Sequence, residues 1–170
     1  NLCVLATIDE DRNPQARVVV LRDVERRFAI FINGTSPKQA ELALSRRHAV
    51  LVYLASLGVQ YRLTVMLEPI PQTIVHASWL ERPRIPKIMD WLYERFRPQS
   101  TDVASRDELM DRFADLDREL PEEVGAPSTA VGYYLNAERA ERLELAGDRP
   151  HTRVRYHRNG AVWRATHVMP

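Results

Sequence analysis

The side chains best suited to chemistry flank a predicted β-hairpin and the helix that follows it. Arg17 precedes three valines in a predicted strand, and Ser36, Pro37 and Lys38 follow the next strand. Ser36 suits a helix N-cap, Pro37 the first helical position and Gln39 a capping box. Free N–H groups at a helix start, together with an arginine and a lysine, would bind a phosphate. A capped helix that binds nothing explains the same residues, because the glycine pattern of a P-loop is absent.

No other set of side chains forms a recognisable catalytic or metal-binding motif. The five histidines lack the spacing of metal ligands, and the single cysteine, Cys3, excludes an internal disulfide. Nucleophile elbows, cysteine–histidine pairs and glycine-rich dinucleotide turns are also absent. We therefore expect no metal site, and any reactivity should come from a bound cofactor.

The bulk composition is that of an ordinary globular protein. Residues 1–170 are predicted to form a single domain, and a net charge of +1 provides no overall field for nucleic acid. Apolar runs fall short of the roughly 18 residues of a membrane span, and no signal peptide is visible. These features and the lone cysteine predict a cytoplasmic protein. Because the chain begins at Asn1, a preceding segment is expected.

Short apolar and β-branched runs predict an antiparallel meander in the first part of the chain. The predicted strands cover residues 1–8, 14–21, 28–33, 48–56 and 60–68, with a helix from Pro37 to about Ser45. Gly58 is predicted to form a turn between the last two strands. Five antiparallel strands are enough to curl into a barrel.

A helical insert at about 71–120 separates the meander from a second group of strands. Helices are predicted over 71–80, 87–96 and from Ser105, where Glu108 completes a capping box. The later strands are predicted over 130–135, 141–145, 153–158 and 161–167, with Asn159-Gly160 as the centre of a type I′ turn. The predicted fold class is mainly β with an α insert, an antiparallel barrel with peripheral helices.

Six segments, taken in order, carry a resemblance to a known family. They are ATIDEDRNPQARVVVLR, FINGTSPKQAEL, VQYRL, ERPR, PQS and RPHTRVRYHRNGAVWRATHVMP. Their order and spacing, over nearly the whole chain, resemble those of the pyridoxamine 5′-phosphate oxidase-like flavoproteins. The resemblance implies an FMN-binding split β-barrel that works as a homodimer, with FMN at the subunit interface.

The resemblance also implies which residues bind FMN. Arg17, Ser36 and Lys38 match residues that hold the phosphate in this family. The other implied flavin contacts are Val18, Val19, Val20, Leu21, Phe31, Ile32, Gln60, Gln99, Ser100 and Arg153. Pro37 stands where the family has an arginine, so Arg17 is expected to carry more of the phosphate binding than Lys38.

Fewer of the family's substrate contacts are matched. The implied substrate-binding residues are Arg22, Arg82, Arg149 and His151, and the last two are also the implied catalytic residues. Ser78 and Pro86 occupy positions where the family has a tyrosine and a serine, and the family tryptophan in the strand of Leu143 or Leu145 has no counterpart. These differences imply a divergent relative with a changed substrate.

The resemblance implies an FMN-dependent oxidoreductase that transfers a hydride from a small molecule to FMN, as in oxidation of pyridoxamine or pyridoxine 5′-phosphate. CH–NH₂ groups are then the expected donors. A flavin-binding carrier or sensor without catalysis is the alternative, because several substrate residues differ. A barrel without FMN that binds nucleic acid would need a basic face with exposed aromatic residues, which the net charge of +1 disfavours. No nucleic-acid or membrane partner is expected.

Overall fold

The computed structural model describes residues 1–170 as nine strands, four helices and one short 3₁₀ turn. The strands are β1 (Leu2–Ile8), β2 (Pro14–Val20), β3 (Arg22–Val24), β4 (Arg27–Asn33), β5 (His48–Leu54), β6 (Val59–Pro69), β7 (Ala130–Glu144), β8 (Thr152–Asn159) and β9 (Val162–Val168). The helices are α1 (Pro37–Ala43), α2 (Gln72–Leu80), α3 (Arg84–Arg95) and α4 (Arg106–Glu119), and the 3₁₀ turn is Ala55–Leu57. None of the helices has the length and apolar character needed to span a bilayer.

The chain divides into two compact units. The sheet unit comprises Asn1–Ile30, Glu41–Glu68 and Tyr134–Pro170, and the helical unit comprises Phe31–Ala40 and Pro69–Tyr133. Helices α2, α3 and α4 lie in the helical unit, within the region where the sequence predicts a helical insert. The single domain expected over residues 1–170 stays a prediction.

The strands follow the order β2-β1-β5-β6-β7-β4-β3, and β8 pairs with both β7 and β9. In the sheet unit, Leu5, Val50 and Val65 are fully buried, so alternate residues of β1, β5 and β6 face the core. Arg17 stands opposite Leu5 in the antiparallel register of β1 and β2. Its side chain therefore lies on the core face of the sheet, and Val18 lies on the outer face.

The helical unit is held together by apolar side chains from its helices. Ile88 of α3 is fully buried, and Val75 and Trp79 of α2 are almost fully buried. The predicted N-cap of α4 is confirmed, because Ser105 Oγ accepts a hydrogen bond from the backbone N–H of Glu108 at 3.0 Å.

The structure corrects four predicted boundaries. The strands expected over 130–135 and 141–145 form the single strand β7. The connection expected before β4 contains the short strand β3. Helix α3, which was predicted to start at residue 87, begins at Arg84, so Pro86 lies in its first turn, where a missing N–H does little harm. Residues Asn159 and Val162 pair, so the β8–β9 turn is centred on Gly160 and Ala161. Only Gly160 has a positive φ, which fits a type II′ turn better than the predicted type I′ turn.

Candidate functional site

Two predicted flavin-contact segments meet in the helical unit. Lys38 Nζ donates to Gln99 Oε1 at 3.1 Å, and the backbone N–H of Gln99 donates to Thr35 Oγ1 at 3.0 Å. Lys38 and Gln99 are 61 residues apart in the chain, so folding alone brings them together. Ser100, the other predicted contact of this loop, has a φ of +69°, a conformation that costs a non-glycine residue about 1–3 kcal/mol.

Ser36, two residues before Lys38, has a buried hydroxyl group without a partner. The residue is 3% exposed, and its Oγ has no hydrogen-bond partner within the chain. The predicted capping box is wrong, because the Gln39 amide contacts Tyr133 Oη at 2.8 and 3.0 Å instead of closing the helix start. A buried hydroxyl without a partner costs about 1–3 kcal/mol, so a ligand oxygen at this point would restore a lost hydrogen bond.

Phe31 and Ile32 occupy the end of β4 in the helical unit. Ile32 is buried, and Phe31 is half-buried with its ring against Gly132 of β7. A Cβ atom on Gly132 would lie 2.9 Å from the Phe31 ring and 3.1 Å from the Ile70 side chain. The missing side chain of Gly132 therefore leaves room for the ring of a predicted flavin neighbour.

In the sheet unit, Arg17 forms part of a partly buried polar triad. Arg17 donates to Glu41 Oε2 at 2.5 Å and also to Thr7 Oγ1, while Thr7 Oγ1 donates to Glu41 Oε2 at 2.5 Å. The Glu41 side chain is 11% exposed, and the Arg17 side chain is 22% exposed. The carboxylate fixes the guanidinium and offsets part of its charge. No residue pattern pointed to Glu41, because a glutamate on a predicted helix usually faces solvent.

The other predicted flavin residues of β2 alternate between the two faces of the sheet. Val18 and Val20 are 62% and 52% exposed on the outer face, whereas Leu21 is buried. Arg22, a predicted substrate contact, begins β3 and pairs with Ala29 of β4. The sheet unit thus exposes a short apolar row beside the strand whose backbone is predicted to line the flavin.

Gln60 and Arg153, also predicted flavin contacts, lie in the sheet unit near an ion cluster that the sequence did not reveal. Glu141 of β7 is 6% exposed. It accepts hydrogen bonds from Arg62 at 2.6 Å and from Arg153 at 2.6 and 2.9 Å. Burial alone would raise the pKa of Glu141, but the hydrogen bonds from the two arginines outweigh it and hold that pKa below its usual value. Glu141 therefore stays ionised at neutral pH.

Arg149 and His151 lie on the exposed connection between β7 and β8. Arg149 donates to Glu144 Oε1 at 2.5 Å and to Thr152 Oγ1 at 3.0 Å. Hydrogen bonds from Arg142 and Arg149 lower the pKa of the Glu144 carboxyl. The backbone N–H of Ala146 donates to His151 Nδ1 at 3.1 Å, so the neutral ring carries its proton on Nε2, directed away from that bond.

Arg82, the remaining predicted substrate contact, is held inside the helical unit. It donates to Asp90 Oδ2, which also accepts a hydrogen bond from Trp79 Nε1 at 3.2 Å. Asp90 is 6% exposed. A buried carboxylate needs such a partner, so Arg82 has a structural role here that the sequence did not reveal. No group of three or more His, Cys, Asp or Glu side chains could hold a metal ion.

Comparisons with known proteins identify relatives over the whole chain. No family model matches the sequence. The pyridoxine/pyridoxamine 5′-phosphate oxidase of a Nocardioides species is 31% identical over 171 residues, covering 100% of this chain and 78% of the relative. The protein of the same name from Rubrobacter xylanophilus is 32% identical over 172 residues, covering 100% of this chain and 77% of the relative.

Solved structures share the fold of this chain. PhzG from Burkholderia lata, in complex with tetrahydrophenazine-1-carboxylic acid, superposes with a TM-score of 0.85 at 25% identity, covering 99% of this chain and 81% of PhzG. A pyridoxamine 5′-phosphate oxidase-related, FMN binding protein from Nostoc punctiforme has a TM-score of 0.79 at 19% identity, covering 99% and 87% of the two chains, and shows the fold alone. The predicted fold class, a mainly β split barrel with peripheral helices, is confirmed. With relatives above 30% identity along its full length, the chain belongs to the pyridoxine/pyridoxamine 5′-phosphate oxidase family.

Proposed function

We propose that this protein is an FMN-dependent oxidoreductase that removes a hydride from a small ring-containing substrate. One observation supports it most directly: the buried Ser36 hydroxyl has no partner in the chain, and Lys38 contacts Gln99. A serine hydroxyl and a lysine ammonium are the groups that bind a phosphate dianion. The donor chemistry of the helical unit thus fits the phosphate end of FMN.

The chain's own residues would bind and orient the cofactor. Arg17, Ser36 and Lys38 are proposed to hold the phosphate, with Glu41 fixing the direction of the Arg17 guanidinium. The flavin ring is proposed to lie along the backbone of residues 18–21, near Phe31 and Ile32. Amide and guanidinium donors for its polar edge come from Gln60, Gln99, Ser100 and Arg153. When bound, FMN supplies the hydride acceptor.

Substrate binding is proposed at Arg149 and His151. Arg149 offers a cationic contact for an anionic group, and Glu144 restrains its side chain. His151 presents an Nε2–H donor, because its Nδ1 already accepts the backbone N–H of Ala146. These groups would orient the substrate and hold a proton at Nε2, and Arg22 is proposed as a further substrate contact.

Two substrate classes follow from different observations. Pyridoxamine or pyridoxine 5′-phosphate is the first candidate, because relatives named for that activity are 31% and 32% identical. The second candidate is a partly reduced ring carboxylic acid. Three observations favour it. Arg82 already donates a hydrogen bond to Asp90, and Ser78 and Pro86 stand where the family has a tyrosine and a serine. PhzG, which is similar to this chain, is in complex with such an acid.

We also propose that the protein is a homodimer with FMN at the subunit interface. Leu2 pairs with Val20 and Val4 pairs with Val18, so the four side chains share the outer face of β1 and β2. Leu2, Val18 and Val20 are each more than half exposed. Such a row of large apolar residues fits a surface that a second copy covers.

FMN binding is tested by titrating the purified protein with FMN and comparing the wild type with Ser36→Ala. The variant removes a buried hydroxyl that no group in the chain uses, so its free energy of unfolding should not fall and should rise by up to about 1–3 kcal/mol. The dissociation constant for FMN should rise about tenfold, because a hydrogen bond to a charged group is lost. Ser128→Ala, which loses a hydrogen bond to Glu94 in the same unit, is the control and should leave FMN affinity unchanged. An unchanged dissociation constant in Ser36→Ala would refute the phosphate assignment.

The substrate is tested by incubating the FMN-loaded protein with each candidate class. Pyridoxal phosphate and hydrogen peroxide should form if the first candidate is correct, and loss of the reduced ring's absorbance should follow if the second is. Flavin that binds with micromolar affinity but is not reduced by either class would instead support the non-catalytic carrier or sensor.

A further inference from the structure

The strongest unassigned feature is the Glu141 cluster, formed by Arg62 of β6, Glu141 of β7, and Arg153 and Arg155 of β8. Glu141 stands opposite Arg155 in the β7–β8 register, so their side chains lie on the same face of the sheet. Arg62 and Arg153 share the Glu141 carboxylate, one on each oxygen. Two guanidinium groups therefore bind a single buried carboxylate, and a third arginine stands opposite it in the strand register.

This cluster carries more donors than it uses. Arg155 Nε is buried and has no hydrogen-bond partner in the chain. The Arg62 side chain is 51% exposed, although the side chain of its partner Glu141 is only 8% exposed. Three positive groups and one negative group leave a net charge of +2. An orphaned donor and an excess of positive charge are both satisfied by an electron-rich or anionic ligand.

The Glu141 cluster includes Arg153 and lies beside Gln60, which are proposed contacts of the flavin, and this position points to FMN as its ligand. Gln60 and Arg62 are two residues apart on β6 and so point to the same face, which is the face opposite buried Leu63. Gln60 and Arg153 are proposed flavin contacts, whereas Arg62 and Arg155 have no assigned role. We propose that Arg62 and Arg155 join Arg153 in binding the polar edge of FMN and favour its reduced, negatively charged form.

Glu141 has two effects in this proposal, which rests on the proposed function. Its carboxylate positions Arg62 and Arg153. Its negative charge also limits the positive field of the cluster, and charge beside the flavin ring sets how readily the ring accepts electrons. Arg62 and Glu141 should therefore change the reduction potential of bound FMN in opposite directions.

The test measures that potential by equilibration with a reference dye, using FMN-loaded wild type, Arg62→Gln, Arg155→Gln and Glu141→Gln. Each arginine variant should lower the ratio of reduced to oxidised FMN about tenfold at a fixed potential, which is about 30 mV for a two-electron couple. Glu141→Gln should raise that ratio. The double variant with Arg62→Gln and Glu141→Gln has the wild-type net charge and should return close to the wild-type potential.

The matched control is another arginine–glutamate pair of the sheet unit. Arg47 donates to Glu138 at 2.6 Å, and Arg47→Gln and Glu138→Gln should leave the potential unchanged. Shifts of the same sign in Arg62→Gln and Glu141→Gln, or no shift in either arginine variant, would overturn the proposal. If Glu141→Gln does not fold, the two arginine variants still decide it. A wild type that does not bind FMN would instead refute the proposed function itself.

Discussion

A single missing side chain controls the surroundings of Phe31. Gly132 has no positive φ, so its backbone could accommodate any residue. Space is the constraint, because the Phe31 ring and Ile70 already fill the volume that a Cβ atom would need. A position of this kind cannot be recognised from the sequence, where one glycine in a strand is equally compatible with a bulge or a close approach.

Gly132→Ala should lower the free energy of unfolding by about 1–3 kcal/mol, the usual range for overpacking a well-filled core. It should also weaken FMN binding if Phe31 lies beside the flavin as proposed. Urea unfolding and FMN titration measure the two effects. Gly125→Ala is the control, because a Cβ atom there would meet nothing within 4 Å. Equal stability of the two variants would contradict the packing argument.

Individual site residues differ in how far the sequence could predict them. Resemblance to a family selected Lys38 and Gln99, and the structure brings these two side chains to 3.1 Å. The partners Glu41 and Asp90 could not be predicted, because burial of a carboxylate depends on which arginine reaches it after folding. Local patterns of residue type contain no such long-range information.

Turns are the elements in which the backbone conformation departs most from expectation. Val24 pairs with Arg27, so Glu25 and Arg26 form a two-residue hairpin loop between β3 and β4. Both have positive φ, +52° and +62°, as a type I′ turn requires. Neither is a glycine or asparagine, which is why the sequence predicted only a connection. Tyr134 Oη donates to Glu25 at 2.7 Å and helps to hold this turn.

Arg26→Gly should stabilise the protein by about 0.5–1 kcal/mol. The left-handed conformation costs an L-residue about 1–2 kcal/mol, and the entropic cost of glycine offsets only part of that gain. The urea midpoint measures the change. Asp23→Gly, three residues earlier in the extended strand β3, should be destabilising. A loss of stability in both variants would show that Arg26 is not strained.

Strands and helices were more predictable than turns. Pro14 was expected to begin a strand and does so, because its missing N–H does least harm there. The Ser105 cap was predictable because its partner Glu108 is three residues away. The continuity of β7 was not predictable, because residues 136–140 include Asn136, Glu138 and Arg139 and resemble a connection, and they form a strand only through pairing with other strands.

At the scale of the whole molecule, the proposed homodimer follows from the exposed apolar row of Leu2, Val18 and Val20. Resemblance to a family predicted the dimer, whereas the surface proposed for it, the outer face of β1 and β2, comes from the structure.

Leu2→Asp should dissociate the dimer. A buried leucine contributes about 1.5–3 kcal/mol, and a twofold interface counts it twice, so the dimer dissociation constant should rise at least about hundredfold. Sedimentation equilibrium measures it, and FMN should be lost in parallel. Leu57→Asp changes an equally exposed leucine, at 66% against 63%, outside this row and is the control. A Leu2→Asp protein that stays dimeric would place the interface elsewhere.

The strand order leaves β9 with a neighbour on one side only. Every residue from Val162 to His167 is exposed, so little apolar burial holds the strand against β8. Local opening of a protein begins where such burial is smallest, so we expect β9 to separate before the better-buried strands of the sheet. Arg153 and Arg155 lie on β8, directly inside that edge. Fraying of the β8–β9 hairpin would loosen Arg153 and Arg155 before the inner strands, so at the proposed FMN site release of the cofactor would begin at this hairpin.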